Sequence, residues 1–142
     1  MSVRPQARQR QRDRAFRMTS ALLVIAGAAF GAPLRYLTDL LVRSRHASVF
    51  PWGTLTANVL GSLILGVIAA AVSAGAPSWA LTLLGTGFCG ALTTFSTFGY
   101  ETIRLVEEGS LLEAFANCLV SILLGAVACA GGWALTAAIL QH

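Results

Sequence analysis

Apolar residues in this chain fall in long runs, unlike the one-faced or alternating patterns of a soluble core. From Ala47 to Tyr100 there is no Asp, Glu, Lys or Arg. One bilayer crossing needs about 20 apolar residues, so this stretch can hold two. A soluble fold would interrupt it with a charged face. The pattern predicts four membrane-spanning helices, at about residues 18–42, 51–74, 79–103 and 111–140.

Polar punctuation separates the runs. Arg43, Arg45 and His46 make the first connection, and Pro51-Trp52-Gly53 opens the second helix. Gly75-Ala76-Pro77-Ser78 leaves room only for a tight hairpin between antiparallel helices. Arg104 to Ser110 is the most acidic loop. At the N-terminus, a basic stretch followed by apolar residues ending in Ala29-Phe30-Gly31-Ala32 has the form of a cleavable secretory signal. The apolar pattern continues through Leu34, Leu37, Leu40, Leu41 and Val42, which predicts an uncleaved first helix.

Composition sharpens this reading. The chain is 56% hydrophobic and 11% charged, without lysine, where soluble domains carry about 25% charged residues. Six of the ten arginines (Arg4, Arg8, Arg10, Arg12, Arg14 and Arg17) precede Met18. The net charge of +4 therefore sits in the tail, and beyond it four Arg face five acidic residues. That placement argues against nucleic-acid binding. Residues 1–17 are expected to be a disordered, cytoplasmic basic tail that meets anionic headgroups and helps set orientation. Cys89, Cys118 and Cys129 stand apart in apolar surroundings, as small packing residues rather than metal or disulfide partners.

Small residues recur at helical spacing. Gly27 and Gly31 form a GxxxG, and Ala57/Gly61, Asn117/Ser121 and Ser121/Gly125 repeat the interval. In lipid, small faces let helix backbones approach closely. The third segment is unusual at its centre, where Gly87 and Gly90 precede Thr93-Thr94-Phe95-Ser96-Thr97. Two structures fit that composition. In one the helix breaks and exposes carbonyls that need partners; in the other it stays intact, with hydroxyls bonded back to its own carbonyls. Asn58 lies deep in the second segment, four residues after Thr54, and Asn117 and Ser121 make a polar stripe on the fourth. These are donors without countercharge, which suit an anion better than a cation. The bland reading of Asn58 is an interhelical clamp, and that of Phe95 and Phe98 is ordinary packing.

Three ordered stretches carry a resemblance to a known family: Gly31 to Tyr36 (GAPLRY), Phe50 to Gly66 (FPWGTLTANVLGSLILG) and Gly85 to Glu101 (GTGFCGALTTFSTFGYE). Together they resemble the fluoride channel family (CrcB/Fluc), over nearly all of residues 24–140. The resemblance implies an all-α membrane protein of four transmembrane helices, the third broken at its centre, in an antiparallel (dual-topology) dimer. Residues 18–142 would form its four-helix fluoride-channel domain, in the cell membrane. It implies a fluoride pore lined by Asn58, Phe95, Phe98 and Ser121, with Thr54 as a polar pore-side residue. Arg35 would stand near the vestibule, and Glu101 would be the acid after the phenylalanine pair. Main-chain carbonyls of Gly90 and Thr93 would hold a structural Na+ between subunits. At Asn117 the family commonly has an aromatic, and at Gly125 often a hydroxyl; both are replaced in this chain.

The expected function is passive, fluoride-specific export that lowers cytoplasmic fluoride. A small proton-coupled, multidrug-type transporter is one alternative, but it needs an intramembrane carboxylate, and Asp39 and Glu101 lie near helix ends. A non-conducting partner subunit of a heterodimeric channel is another. The chain holds no nucleophile–base pair, metal cluster or cofactor loop, so no enzyme is expected. Arginine placement favours a cytoplasmic N-terminus. Insertion mainly one way would require pairing with a sister subunit (a paralogue) of opposite orientation; with dual insertion the antiparallel second subunit would be a second copy, as a homodimer.

Overall fold

Burying some twenty consecutive apolar residues in lipid leaves helix as the conformation that satisfies its own backbone, and the chain adopts it throughout. The computed structural model describes residues 4–45 and 48–140. His46, placed by the sequence in the first connection, lies outside the described residues. Helix α1 covers Arg4–Arg43 and α2 covers Trp52–Ser73. The third span is helical over residues 78–92 (α3) and again over Phe95–Glu107 (α4), and the fourth is α5, Leu111–Leu140. Among the described residues, four helical spans are long and apolar enough to cross a membrane.

The segment upstream of Met18 was expected to be disordered, but from Arg4 its described part continues α1. Arg, Gln and Ala are good helix formers, and extending an existing helix avoids the cost of nucleation. At 1.5 Å per residue the 40-residue helix is about 60 Å long, twice the hydrocarbon thickness.

The turns follow from two glycines. Gly75 and Gly109 have φ of +108° and +80°, a region open to residues without a Cβ. Each closes a helix with a 6→1 bond, from Ala76 N–H to the Ala71 carbonyl at 3.0 Å and from Ser110 N–H to the Leu105 carbonyl at 2.8 Å.

Small residues decide the packing. The first span lies on the third, and the second lies along the fourth. A Cβ on Gly27 would overlap the Leu83 carbonyl oxygen, and one on Gly31 the Phe88 carbonyl oxygen. A Cβ on Gly66 would overlap the Cys129 carbonyl, and one on Gly132 the Leu63 carbonyl. The four spans therefore meet backbone to backbone at glycine, as close packing in lipid requires. Between Leu81 and Cys89 the third span is wound as a π-helix, a wider coil often found at functional sites.

A polar groove in the membrane

After Leu92 the backbone of the third span leaves the helical region. Thr93 has φ −82°, ψ 160° and Thr94 φ −150°, ψ 128°, before α4 starts at Phe95. Threonine tolerates extended backbone, and the second threonine caps the new helix: Thr94 Oγ1 accepts from the Thr97 N–H at 3.2 Å. Thr93 is tied back, its hydroxyl donating to the Cys89 carbonyl at 2.9 Å.

Asn58 on α2 pairs with the peptide at this point. Thr94 N–H donates to Asn58 Oδ1 at 2.8 Å, and Asn58 Nδ2 donates to the Thr94 carbonyl at 3.2 Å. A primary amide matches both groups of one peptide, so a single side chain satisfies backbone that the helix has abandoned. An uninterrupted helix would have sent the Thr94 N–H to the Gly90 carbonyl.

Around this pairing lies an open groove of about 400 Å³. Its walls carry Asn58, Gly61 and Ser62 from α2, Gly90 from α3, Thr93 and Thr94 from the extended pair, Phe95 and Phe98 from α4, and Ser121 from α5. Among the described residues no charged one lines it. The Phe95 and Phe98 rings tilt at 43° with centroids 5.8 Å apart, and Phe95 is 84% exposed. Gly90 faces open space, with nothing within 4 Å of where its Cβ would be.

Thr54 is not part of this wall. It is buried and borders a separate cavity of about 160 Å³ with Arg35, Asp39 and Thr94. Its hydroxyl stands beside the Glu101 carboxyl. Arg35 Nη1 reaches the Thr97 hydroxyl at 3.4 Å. Glu101, also buried, accepts from Arg43 Nη2 at 2.7 Å, and Arg43 Nε bonds Asp39 Oδ1 at 2.8 Å. Glu101, Arg43 and Arg104 border a third cavity of about 510 Å³ at this end of the bundle. Thr94 thus stands between the groove and the small cavity, which meet at the non-helical backbone.

The sequence reading missed three participants. Thr94 acts through its peptide, and Arg43 bridges both carboxylates although it reads as a loop arginine. Thr102 accepts from Asn117 Nδ2 at 2.8 Å. The first had a signal, a threonine three residues before another hydroxyl at a helix start; the other two depend on neighbours remote in sequence.

Four apolar spans with a largely apolar groove that carries a few neutral polar groups define a multi-pass integral membrane protein with an uncharged groove between its spans. Residues 22–133 match the family described as CrcB-like protein, Camphor Resistance (CrcB). The chain is 57% identical to "Fluoride-specific ion channel FluC 1" of Frankia casuarinae, over 83% of this chain and 96% of the relative. It is 58% identical to "Fluoride-specific ion channel FluC 1" of Streptomyces avermitilis, over 79% and 92%. It is 46% identical to "Fluoride-specific ion channel FluC" of Methanocaldococcus jannaschii, over 71% and 81%. The chain belongs to the CrcB-like family.

Proposed function

We propose that this protein is a fluoride-specific channel of the cell membrane, passively exporting fluoride and lowering its cytoplasmic concentration, and that the groove is its ion path. The observation that carries this reading is a largely apolar wall of ring edges with a few neutral polar groups, Asn58 foremost, and no charge among the described residues that line it. Fluoride holds its water tightly, so a path must replace hydration without trapping the ion, and a fixed cation at that depth would slow release. Asn58 has two amide protons; one bonds the Thr94 carbonyl, and the other is available to the groove. The electropositive edges of Phe95 and Phe98 add weak contacts. The relatives' names agree with this chemistry.

The third span works in this reading as a broken helix, its ends held apart by Thr93 and Thr94. An antiparallel second subunit would close the open side of the groove, approaching where Gly90 leaves space. A Na+ between subunits fits the donors there: neutral main-chain oxygens, with the Gly90 carbonyl relieved of its Thr94 partner. Gly90 and Thr93 would hold it, and when bound it would supply fixed positive charge beside the path. Arg35 and Glu101 belong to the wider cavities at the end of the bundle, as vestibule and structural groups. Proton coupling through the groove would need a carboxylate, and none of the described residues lining it is one.

Purified protein in liposomes is expected to release fluoride with negligible chloride release, as read by ion-selective electrodes. No fluoride release, alone or with an oppositely inserted partner, would overturn the proposal. The helical basic extension, with exposed Arg10, Arg12, Arg14 and Arg17, favours a cytoplasmic N-terminus. A C-terminal topology reporter should therefore show one dominant orientation, the opposite one being supplied by a partner subunit. Equal populations of both orientations would refute fixed insertion.

A further inference from the structure

Asn117 is the most deeply buried polar side chain among the described residues, 1% exposed. It sits within a chain of side-chain hydrogen bonds leading from the groove to the backbone of α4. Ser121 Oγ bonds Asn117 Oδ1 at 3.3 Å, Asn117 Nδ2 bonds Thr102 Oγ1 at 2.8 Å, and Thr102 Oγ1 bonds the Phe98 carbonyl at 2.7 Å. The direction of every proton follows from the last member. A carbonyl only accepts, so Thr102 must donate its one proton to Phe98. Thr102 can then only accept from Asn117, which turns the Nδ2 group toward it and leaves Oδ1 facing Ser121. Ser121 must donate to Oδ1. A hydroxyl has one proton, so Ser121 meets the groove with lone pairs.

We propose that Asn117 is a positioning residue that draws the Ser121 proton out of the groove, so that on the fourth span Ser121 offers the ion no donor. This deepens, and rests on, the assignment of the groove as a fluoride path. An anion passing Ser121 meets oxygen lone pairs, and its stabilisation falls to Asn58, the Ser62 hydroxyl and the phenylalanine edges. Releasing the proton turns the same hydroxyl into an anion donor. Two substitutions outside the groove wall do so by different routes. Asn117→Leu removes the acceptor. Thr102→Val removes the partner that holds the amide in its orientation, so the amide can rotate and donate to Ser121.

The test is the fluoride-concentration dependence of initial efflux from proteoliposomes. Asn117→Leu and Thr102→Val are each expected to lower the half-saturating fluoride concentration about tenfold, the order expected for one hydrogen bond to a charged group. Ser121→Ala alone removes lone pairs rather than a donor from the path, so it should not raise the half-saturating concentration. The double variant Asn117→Leu/Ser121→Ala should match Ser121→Ala alone. A merely structural role for Asn117 would lower the maximal rate and leave half-saturation unchanged, and that result would overturn the proposal. So would a shift that survives Ser121→Ala, or a tenfold weakening by Ser121→Ala alone. If Asn117→Leu does not fold, Thr102→Val with and without Ser121→Ala decides by the same criteria. Wild-type flux with unmoved half-saturation in the variants defeats this inference alone, whereas absent wild-type flux defeats the channel assignment with it.

Discussion

Asn58→Leu should abolish fluoride efflux, lowering its initial rate at least about 100-fold. Leucine is close to asparagine in size, so the change removes hydrogen bonds rather than volume. The two bonds lost are those that satisfy the Thr94 peptide, Thr94 N–H to Oδ1 at 2.8 Å and Nδ2 to the Thr94 carbonyl at 3.2 Å. Each unsatisfied buried polar group costs about 1–3 kcal/mol, and no water in the hydrocarbon core offers a replacement. The cheapest repair is to let the third span become helical through Thr93 and Thr94, returning the Thr94 N–H to Gly90. That repair moves Phe95 and Phe98 out of the groove wall and withdraws the one amide that faces it. Efflux above a tenth of the wild-type rate would show that Asn58 is dispensable to the path. Asn58→Asp separates the two bonds, because an ionised carboxylate still accepts from the Thr94 N–H but repels its carbonyl. It too should lose flux.

Gly27→Leu should prevent a stable bundle from forming. A Cβ at Gly27 would overlap the Leu83 carbonyl oxygen and stand 2.7 Å from Phe88 N and 3.0 Å from Gly87 C. All three are main-chain atoms of the π-wound stretch, so no side-chain rotation relieves the overlap. Overpacking typically costs about 1–3 kcal/mol, and here it pushes two backbones apart along a whole face. Gly131 is the internal control, with nothing within 4 Å of its Cβ position. Thermal midpoints in detergent should fall clearly for Gly27→Leu and stay near wild type for Gly131→Ala. Similar midpoints for the two would mean that the first and third spans do not meet at Gly27.

Much of the lining of the candidate groove was legible residue by residue. The family motifs pointed to Asn58, Phe95, Phe98, Ser121, Gly90 and Thr93, and the fold gathers these six around one groove. Thr54 shows where spacing stops being informative. It lies one turn from Asn58 on the same helix, yet it opens on a different cavity, because the Thr94 peptide stands between them. Periodicity says which residues share a helix face; it does not say which neighbouring element divides that face in two. Asn117 shows the converse: Ser121 lies one turn away on its own helix, but its other partner, Thr102, comes from the third span.

Sequence alone determined the number of spans, their limits to within a few residues except at the start of the first, and Gly27 and Gly31 as a face for close approach. Each of these follows from local quantities: apolar run length against bilayer thickness, turn residues, and side-chain size at four-residue spacing. Tertiary structure decided the rest. It wound residues 81–89 as a π-helix, handed the Thr94 peptide to Asn58, and set Arg43 between Asp39 and Glu101. It also fixed the proton direction from Ser121 to the Phe98 carbonyl. Hydrogen bonds at membrane depth are made with whichever donor or acceptor a neighbouring span brings within about 3 Å, and that neighbour is chosen by packing rather than by position in the chain.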